Sequence, residues 1–197
     1  MKRSKICIVG NGSSVLKTRK GFCIDQFETV GRINNYTTAG YEHHIGSKTS
    51  IWFNGANQKL KKRDLCSETV VVLIPSEILK RKGPRIHKRI KQRLNVPSQD
   101  SYTLVSPRDM ELFEKSAGNS RLTTGTSAIL WASEHFEEVY LHGFDFFIDS
   151  KAHYNDSPVT RFLIDRGIIK KAQKHDTQKE KEYITSLIEK GIIHTLH

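Results

Sequence analysis

The chain has 197 residues, of which 37% are hydrophobic and 27% charged, and its formal net charge is +11. This length and composition predict a globular protein with its own core and exclude a disordered chain. No apolar run has the roughly 20 residues that span a bilayer, so we expect a soluble, cytoplasmic protein. The excess of cations predicts an anionic partner, such as a nucleotide, a nucleic acid, an acidic glycan or a membrane surface.

Strand-like apolar runs alternate with helical periods along the chain. The predicted strands are residues 6–9, 27–34, 49–54, 69–74, 102–105, 139–141 and 192–196. The predicted helices are residues 15–19, a basic region from 75 that is interrupted at 83–84, 107–115, a helix from 126, and 176–190 closed by Gly191. This alternation predicts one α/β domain over residues 1–197, with a mostly parallel sheet flanked by helices and a possible lid loop at 149–174.

The turn Gly10-Asn11-Gly12 lies between the first strand and the first predicted helix. Glycines let a backbone approach a phosphate, and a helix N-terminus offers N–H groups to an anion, although an ordinary strand-to-helix turn explains the same residues. Val15 stands where the dinucleotide fingerprint needs a third small residue, and the second strand ends at Asn34 without an acidic residue. Both features disfavour an NAD enzyme.

Four groups of residues resemble, in order, the sialylmotifs of animal-type sialyltransferases. They are residues 9–12, 30–34 and 40–49 for the large motif, 122–126 and 137–144 for the small motif, 153–156 for the third motif, and His175 with Glu180 for the HxxxxE of the very small motif. The resemblance implies an inverting transfer of sialic acid, or of a related acid such as Kdo, from its CMP ester to a glycan or glycolipid hydroxyl. It also implies a Rossmann-like, GT-A-like fold.

No cofactor and no metal are implied by this resemblance. The sequence contains no Asp-x-Asp pair, the usual Mg²⁺ or Mn²⁺ ligand of nucleotide-diphosphate sugar transferases. The cysteines Cys7, Cys23 and Cys66 lack metal-site spacing, and we expect free thiols. Animal family members join the large and small motifs by a disulfide, but here Cys7 lies one residue off and Phe136 occupies the partner position, so we expect no such bond.

The resemblance assigns roles to named residues. The expected donor contacts are Asn11, Gly12, Asn34, Thr123, Thr124, Gly125, Gly143 and Tyr154. His153 is expected to bind the leaving phosphate and His175 to act as the general base, since an imidazole with a pKa near ~6.5 suits proton transfer at neutral pH. Bacterial sialyltransferases of the Campylobacter type share a His-Tyr pair but carry the base just after it, so both histidines stay candidates.

Some of these residues also have structural interpretations. Thr177-Gln178-Lys179-Glu180 has the pattern of a capping box, in which Glu180 fixes the start of the last helix and so orients His175. Thr123 and Thr124 can cap the helix that follows them instead of contacting the donor.

The segment from Lys80 to Leu94 is densely cationic, with Ile86, Ile90 and Leu94 on one helical face. Such a helix can lie on an anionic membrane, giving peripheral contact at its inner face, or hold an acidic lipid-linked glycan. Alternatively, the apolar face packs on the core and the basic face is solvated. Two other functions remain open, a nucleotide-binding module without catalysis and a basic nucleic-acid-binding protein, but no RNA-binding signature accompanies the charge.

Overall fold

The computed structural model describes residues 2–61, 68–145, 153–156 and 176–196. The predicted general base His175 and most of the predicted lid 149–174 lie outside the described residues. The strands are β1 (Arg3–Val9), β2 (Thr29–Ile33), β3 (Ile51–Asn54), β4 (Thr69–Val72), β5 (Thr103–Leu104), β6 (Phe136–His142) and β7 (Ile193–Thr195). All neighbouring strands pair in parallel, which confirms the predicted sheet.

The order of the strands, β5-β4-β3-β2-β1-β6-β7, creates a crevice. From β1 to β5 the chain moves steadily toward one edge, and β6 then returns to the other side of β1. The connections that leave β1 and β6 therefore diverge, and the carboxyl ends of these two strands border an opening. Open parallel sheets bind ligands at such a switch point.

Helices connect the strands. They are a 3-10 helix (Ser13–Lys17), α1 (Gly21–Asp25), α2 (Glu42–Ile45), α3 (Ser76–Lys82), α4 (Arg85–Leu94), α5 (Pro107–Ser116), α6 (Thr124–His135) and α7 (Thr177–Glu189). The interruption at 83–84 is confirmed, as is Gly191 after α7, where φ is +69°.

The helix predicted for residues 15–19 is wrong in type and position. The chain forms one short 3-10 helix, in which the Thr18 amide donates to the Val15 carbonyl. Thr18 then takes extended angles, φ −128° and ψ 161°, so no α-helical hydrogen bonds propagate beyond it. An α-helix resumes only at Gly21.

Helix α4 packs its apolar face into the core, where Ile86, Ile90 and Leu94 are at most 3% exposed. The interpretation of a core-packed helix with an outward basic face is thereby confirmed. A helix lying within a membrane surface would need that apolar face for the lipid. In the part of the chain that the structure describes, no helix has the length and apolar character to cross a membrane.

Cys7 is a buried free thiol in the middle of β1, and Cys23 is an exposed one. Cys7 lies opposite Tyr140 of β6, whereas Phe136 lies opposite Arg3. Burial raises the pKa of the Cys7 thiol to about 12. The thiol therefore serves as a small apolar core group and not as a nucleophile.

Candidate functional site

A cavity of about 110 Å³ opens at the switch point of the sheet. Its walls come from the ends of β1, β2 and β6, from the start of α6, and from segment 153–156. Eight residues predicted from the sequence line it: Asn11, Gly12, Asn34, Thr123, Thr124, Gly125, Gly143 and His153. Three of the four motifs thus converge on one cavity, because β1, β2 and β6 end at the same edge of the sheet and the start of α6 and segment 153–156 lie beside them.

The turns after β1 and β6 lie backbone against backbone. The Gly10 amide donates to the His142 carbonyl (2.7 Å), and the Gly12 amide donates to the Gly143 carbonyl (2.9 Å). A Cβ atom on Gly10 would lie 2.3 Å from the Gly143 oxygen, so a side chain cannot be accommodated there without moving backbone. The first glycine thus brings the two turns together, independently of any ligand.

Asp145, which follows the β6 turn, occupies the N-terminal end of the 3-10 helix. Its carboxylate accepts the Ser14 amide (3.1 Å) and also a short bond from the Ser14 hydroxyl. A Cβ atom on Gly12 would lie 2.4 Å from the Asp145 carboxyl carbon. The protein's own carboxylate therefore takes the Ser14 amide, while a phosphate-binding role of the glycine-rich turn stays a prediction.

The N-terminus of α6 provides the anion-attracting end instead. Thr123 is the N-cap, with its hydroxyl accepting the Thr126 amide (3.2 Å) and donating to Glu180 (2.7 Å). The capping interpretation of Thr123 is confirmed, and the single proton of its hydroxyl is taken by Glu180. Thr124 and Gly125 follow in the first turn and line the cavity, and first-turn amides have no acceptor within their own helix. Together with the helix dipole they favour a negative charge in the cavity.

Glu180 is fully buried and connects α7 to the start of α6. Its carboxylate accepts the Thr123 amide (3.1 Å), the hydroxyls of Thr123 and Thr126, and the Asn119 amide group (3.3 Å). The capping-box prediction is wrong, because Asp176 is the N-cap of α7 and accepts the Lys179 amide. Glu180 supports the cavity wall, not the start of its own helix.

Asn11 and Asn34 offer complementary groups at the cavity. Asn11 donates through Nδ2 to the carbonyls of Ile33 (2.9 Å) and Asn35 (3.3 Å), and its buried Oδ1 has no hydrogen-bond partner among the described residues. Asn34 accepts the Gly55 amide with Oδ1 (3.1 Å), which leaves Nδ2 as its side-chain donor. Asn11 can therefore accept a hydrogen bond from a ligand, and Asn34 can donate one.

Segment 153–156 docks on the glycine-rich turn. His153 forms an isolated antiparallel bridge with Gly12, and the Tyr154 amide donates to the Asn11 carbonyl (3.0 Å). The His153 Nδ1 atom lies 3.3 Å from the same carbonyl. Because a carbonyl only accepts, Nδ1 carries the proton in this contact, and Nε2 is the nitrogen that can gain or lose one.

Tyr154 does not line the cavity. It is 1% exposed, and its hydroxyl bonds both the amide and the carbonyl of Thr37 (3.1 and 2.7 Å). Its ring packs edge-on against Tyr41. Tyr154 thus fastens the third motif to the loop after β2 and acts behind the wall of the cavity.

Sequence reasoning assigned no site role to six other lining residues: Gly10, Ile33, Thr126, Phe144, Asp145 and Thr177. A signal existed for Phe144 and Asp145, since they directly follow Gly143 at the end of a central strand. Nothing in the sequence links Asp145 to Ser14, which lies 131 positions away. Across the described ranges, no group of three or more His, Cys, Asp and Glu side chains could hold a metal ion.

Two proteins with similar sequences show how much of the chain the similarity covers. The chain is 24% identical to the lactosylceramide alpha-2,3-sialyltransferase of Rattus norvegicus, over 99% of this chain and 57% of the rat protein. It is 35% identical to the beta-1,6-galactosyltransferase GALT29A of Arabidopsis thaliana, over 34% of this chain and 19% of that protein. The chain therefore spans little more than half the length of the rat relative.

Solved structures share the fold. A mammalian sialyltransferase in complex with Gal-beta-1-3GalNAc-ortho-nitrophenol superposes with a TM-score of 0.70 at 19% identity, covering 98% of this chain and 69% of that one. The sialyltransferase from Campylobacter jejuni in complex with the substrate analogue CMP-3FNeuAc gives 0.57 at 15% identity, covering 100% and 82%. These likenesses confirm the Rossmann-like, GT-A-like fold.

The family assignment extends over nearly the whole chain. The family model of glycosyltransferase family 29 (sialyltransferase) matches residues 2–192, which include all four motif regions. The chain belongs to glycosyltransferase family 29, the sialyltransferase family.

Proposed function

We propose that this chain is an inverting sialyltransferase that moves sialic acid from CMP-sialic acid to a hydroxyl group of a glycan or glycolipid. The observation that carries the proposal is the convergence of seven predicted donor-binding residues on the cavity at the switch point. The family assignment supports it, as do the names of a lactosylceramide relative and of a neighbour bound to a CMP-sugar analogue. CMP-Kdo is the alternative donor.

The cavity suits a CMP ester chemically. The phosphate would meet the first-turn amides of Thr124 and Gly125, and Asn34 would donate to a phosphate or cytosine oxygen. The Oδ1 atom of Asn11 would accept from a ribose hydroxyl or the cytosine amino group. A buried acceptor without a partner is costly, so a ligand donor at this position would add to affinity.

The reaction requires a base and a stabilised leaving group. The acceptor oxygen attacks the anomeric carbon as the bond from that carbon to the phosphate oxygen breaks, which inverts the centre and releases CMP. We assign His175 as the base that takes the hydroxyl proton, and Thr177, two residues later, lines the cavity. His153 and the α6 amides would stabilise the negative charge on departing CMP, a role that a metal ion fills in many other transferases.

A donor screen tests the proposed function. The purified chain is incubated with lactose and, in turn, CMP-sialic acid, CMP-Kdo and UDP-galactose, with and without EDTA. UDP-galactose is included because the plant relative is named a galactosyltransferase. We expect EDTA-resistant transfer from CMP-sialic acid and an inverted anomer by NMR. CMP binding without transfer to any acceptor would indicate a binding module, and salt-sensitive RNA binding without CMP affinity would indicate a nucleic-acid-binding protein.

The base assignment has its own test. His175→Ala should lower kcat by about 10²–10⁴, the usual contribution of a general base, and remove the low-pH limb of the rate profile. His153→Ala should lower kcat as well but leave that limb in place. The exposed His43 provides the control substitution, His43→Ala. Unchanged CMP release by His175→Ala would contradict the assignment and make His153 the base.

A further inference from the structure

The consecutive helices α3 and α4 concentrate the positive charge of the chain. Residues 76–94 contain eight Lys and Arg residues and one acidic residue, which accounts for +7 of the net +11. On α4, Arg85, Lys88 and Lys91 recur every three residues and so share one side of the helix. We call Arg85, Lys88, Arg89, Lys91 and Arg93 the basic face.

Within the part of the chain that the structure describes, acidic side chains do not neutralise the exposed cations of α4. Nearby ion pairs join Lys80 to Glu111 and Arg81 to Glu77. Arg85, Lys88 and Lys91 have no acidic partner among the described residues. Like charges held this close raise the free energy of the folded chain, and an anionic ligand would relieve that repulsion.

The C-terminal end of α4 lies close to the rim of the cavity. At the last turn of α4, Arg93 donates to the Ala56 carbonyl in the loop after β3. The neighbouring Gly55 donates its amide to Asn34 (3.1 Å), and a Cβ atom on Gly55 would lie 2.9 Å from the Thr124 hydroxyl. One short loop thus separates Arg93 from two residues that line the cavity. Burial lowers the pKa of Arg93, and the nearby Arg89 acts in the same direction.

We propose that the basic face binds the acceptor, and that this acceptor is a glycan carrying phosphate or carboxylate groups on sugars away from the accepting hydroxyl. This inference rests on the proposed function and names the substrate class of the same site. Guanidinium groups bind phosphates and carboxylates in a bidentate manner, and α4, which carries these cations, ends at the loop beside the cavity. A membrane is the less suitable partner because the apolar face of α4 is already buried in the core.

Two triple variants with equal charge test the proposal. The first carries Arg85→Glu, Lys88→Glu and Lys91→Glu. The control carries Arg108→Glu, Lys115→Glu and Lys190→Glu, all at exposed positions outside α3 and α4. Each reversal changes the charge by two, so both triples fall from +11 to +5. Transfer from CMP-sialic acid is measured with lactose and with lactosyl phosphate, whose phosphate lies on the sugar that does not accept.

We expect the first triple to raise the KM for lactosyl phosphate about tenfold at low salt, with kcat and the KM for lactose unchanged. High salt should remove the difference, because exposed charges are screened. The control triple should match the wild type. An equal change for both acceptors, or an equal effect of both triples, would overturn the proposal. So would an unchanged KM together with loss of binding to phosphatidylglycerol vesicles, which would assign the face to a membrane.

A binding titration separates this proposal from the proposed function. Lactosyl phosphate is titrated into the wild type and both triples without any donor. If the wild type transfers no sialic acid yet binds lactosyl phosphate, and the first triple alone loses that binding, the basic face is supported and the proposed function fails. Equal binding by all three proteins would overturn the proposal that the basic face binds the acceptor, whatever the transfer assay gives.

Discussion

Gly12 has no Cβ atom, and this allows the Asp145 carboxylate to pack between the turns that follow β1 and β6. The Asp145 carboxyl carbon lies 2.4 Å from where a Gly12 Cβ would stand, and the same carboxylate holds the Ser14 amide and hydroxyl. Asp145 is 8% exposed, so these hydrogen bonds compensate for the burial of its polar atoms. This contact fixes the turn after β1 against the turn after β6, on which the shape of the cavity depends.

Gly12→Ala should therefore destabilise the fold by about 1–3 kcal/mol, the usual cost of overpacking. The same substitution in an Asp145→Ala background should cost less, because the group that clashes with the new methyl is gone. Urea denaturation of the four proteins of this double-mutant cycle measures the coupling. An equal cost of Gly12→Ala in both backgrounds would show that the contact with Asp145 is not its cause.

His142, at the end of β6, should make stability depend on pH. Burial lowers its pKa from the ordinary value near 6.5, although a hydrogen bond to the His44 backbone acts in the opposite direction. The unfolded chain then binds a proton at a higher pH than the folded chain. Stability is thus complete above about pH 6.5 and is lost as the pH falls from there toward the folded pKa.

His142→Gln should flatten the dependence of the unfolding free energy on pH below about 6.5. Chemical denaturation at a series of pH values measures that slope. His43→Gln, at an exposed position on α2, should keep the slope of the wild type. If His142→Gln keeps the wild-type slope of unfolding free energy against pH, groups other than His142 cause the pH dependence.

At the scale of elements, carboxylates from distant segments accept hydrogen bonds from backbone amides at the N-termini of three helices. Glu114 of α5 accepts the Ser76 amide at the start of α3 (2.9 Å), Asp145 binds the 3-10 helix, and Glu180 of α7 binds the start of α6. In α6 the carboxylate bonds the amide of the N-cap Thr123, and the next two residues, Thr124 and Gly125, line the cavity. Local sequence patterns describe caps within one helix and cannot detect these contacts between elements.

Glu180→Gln should destabilise the chain by about 1–3 kcal/mol, because the new amide group meets donors and leaves one of them unsatisfied. It should also weaken CMP binding, since the start of α6 loses its anchor. Glu182→Gln, an exposed change on the same helix, should alter stability by no more than about 0.5 kcal/mol. Thermal denaturation of both variants measures the difference, and equal midpoints would refute the linking role of Glu180.

At the scale of the whole molecule, the parallel sheet and most of the residues that line the cavity can be predicted from the sequence. Buried parallel strands leave continuous apolar runs, and the residues just after β1, β2 and β6 had to meet at one edge. The function of Tyr154 and the target of Glu180 were missed, since both depend on contacts more than 50 positions apart. The 3-10 helix differs from the prediction because the chain turns extended at Thr18, and the contact of Ser14 with Asp145 at its start joins positions too far apart for a local pattern to indicate.

The central claim is that the cavity at the switch point binds the CMP group of the donor. Gly125 lies on its wall, and a Cβ atom there would lie 3.2 Å from Phe144 and 3.7 Å from Ile33. The larger side chain of Gly125→Val would therefore extend into the space that the donor needs. Ser120→Val, at an exposed position before α6, is the matched control.

Calorimetric titration of CMP into the wild type and these two variants, each checked for folding by circular dichroism, tests the claim most directly. We predict that Gly125→Val lowers CMP affinity by at least about tenfold, or about 1.4 kcal/mol, and that Ser120→Val binds like the wild type. A folded Gly125→Val protein with the CMP affinity of the wild type would contradict the claim.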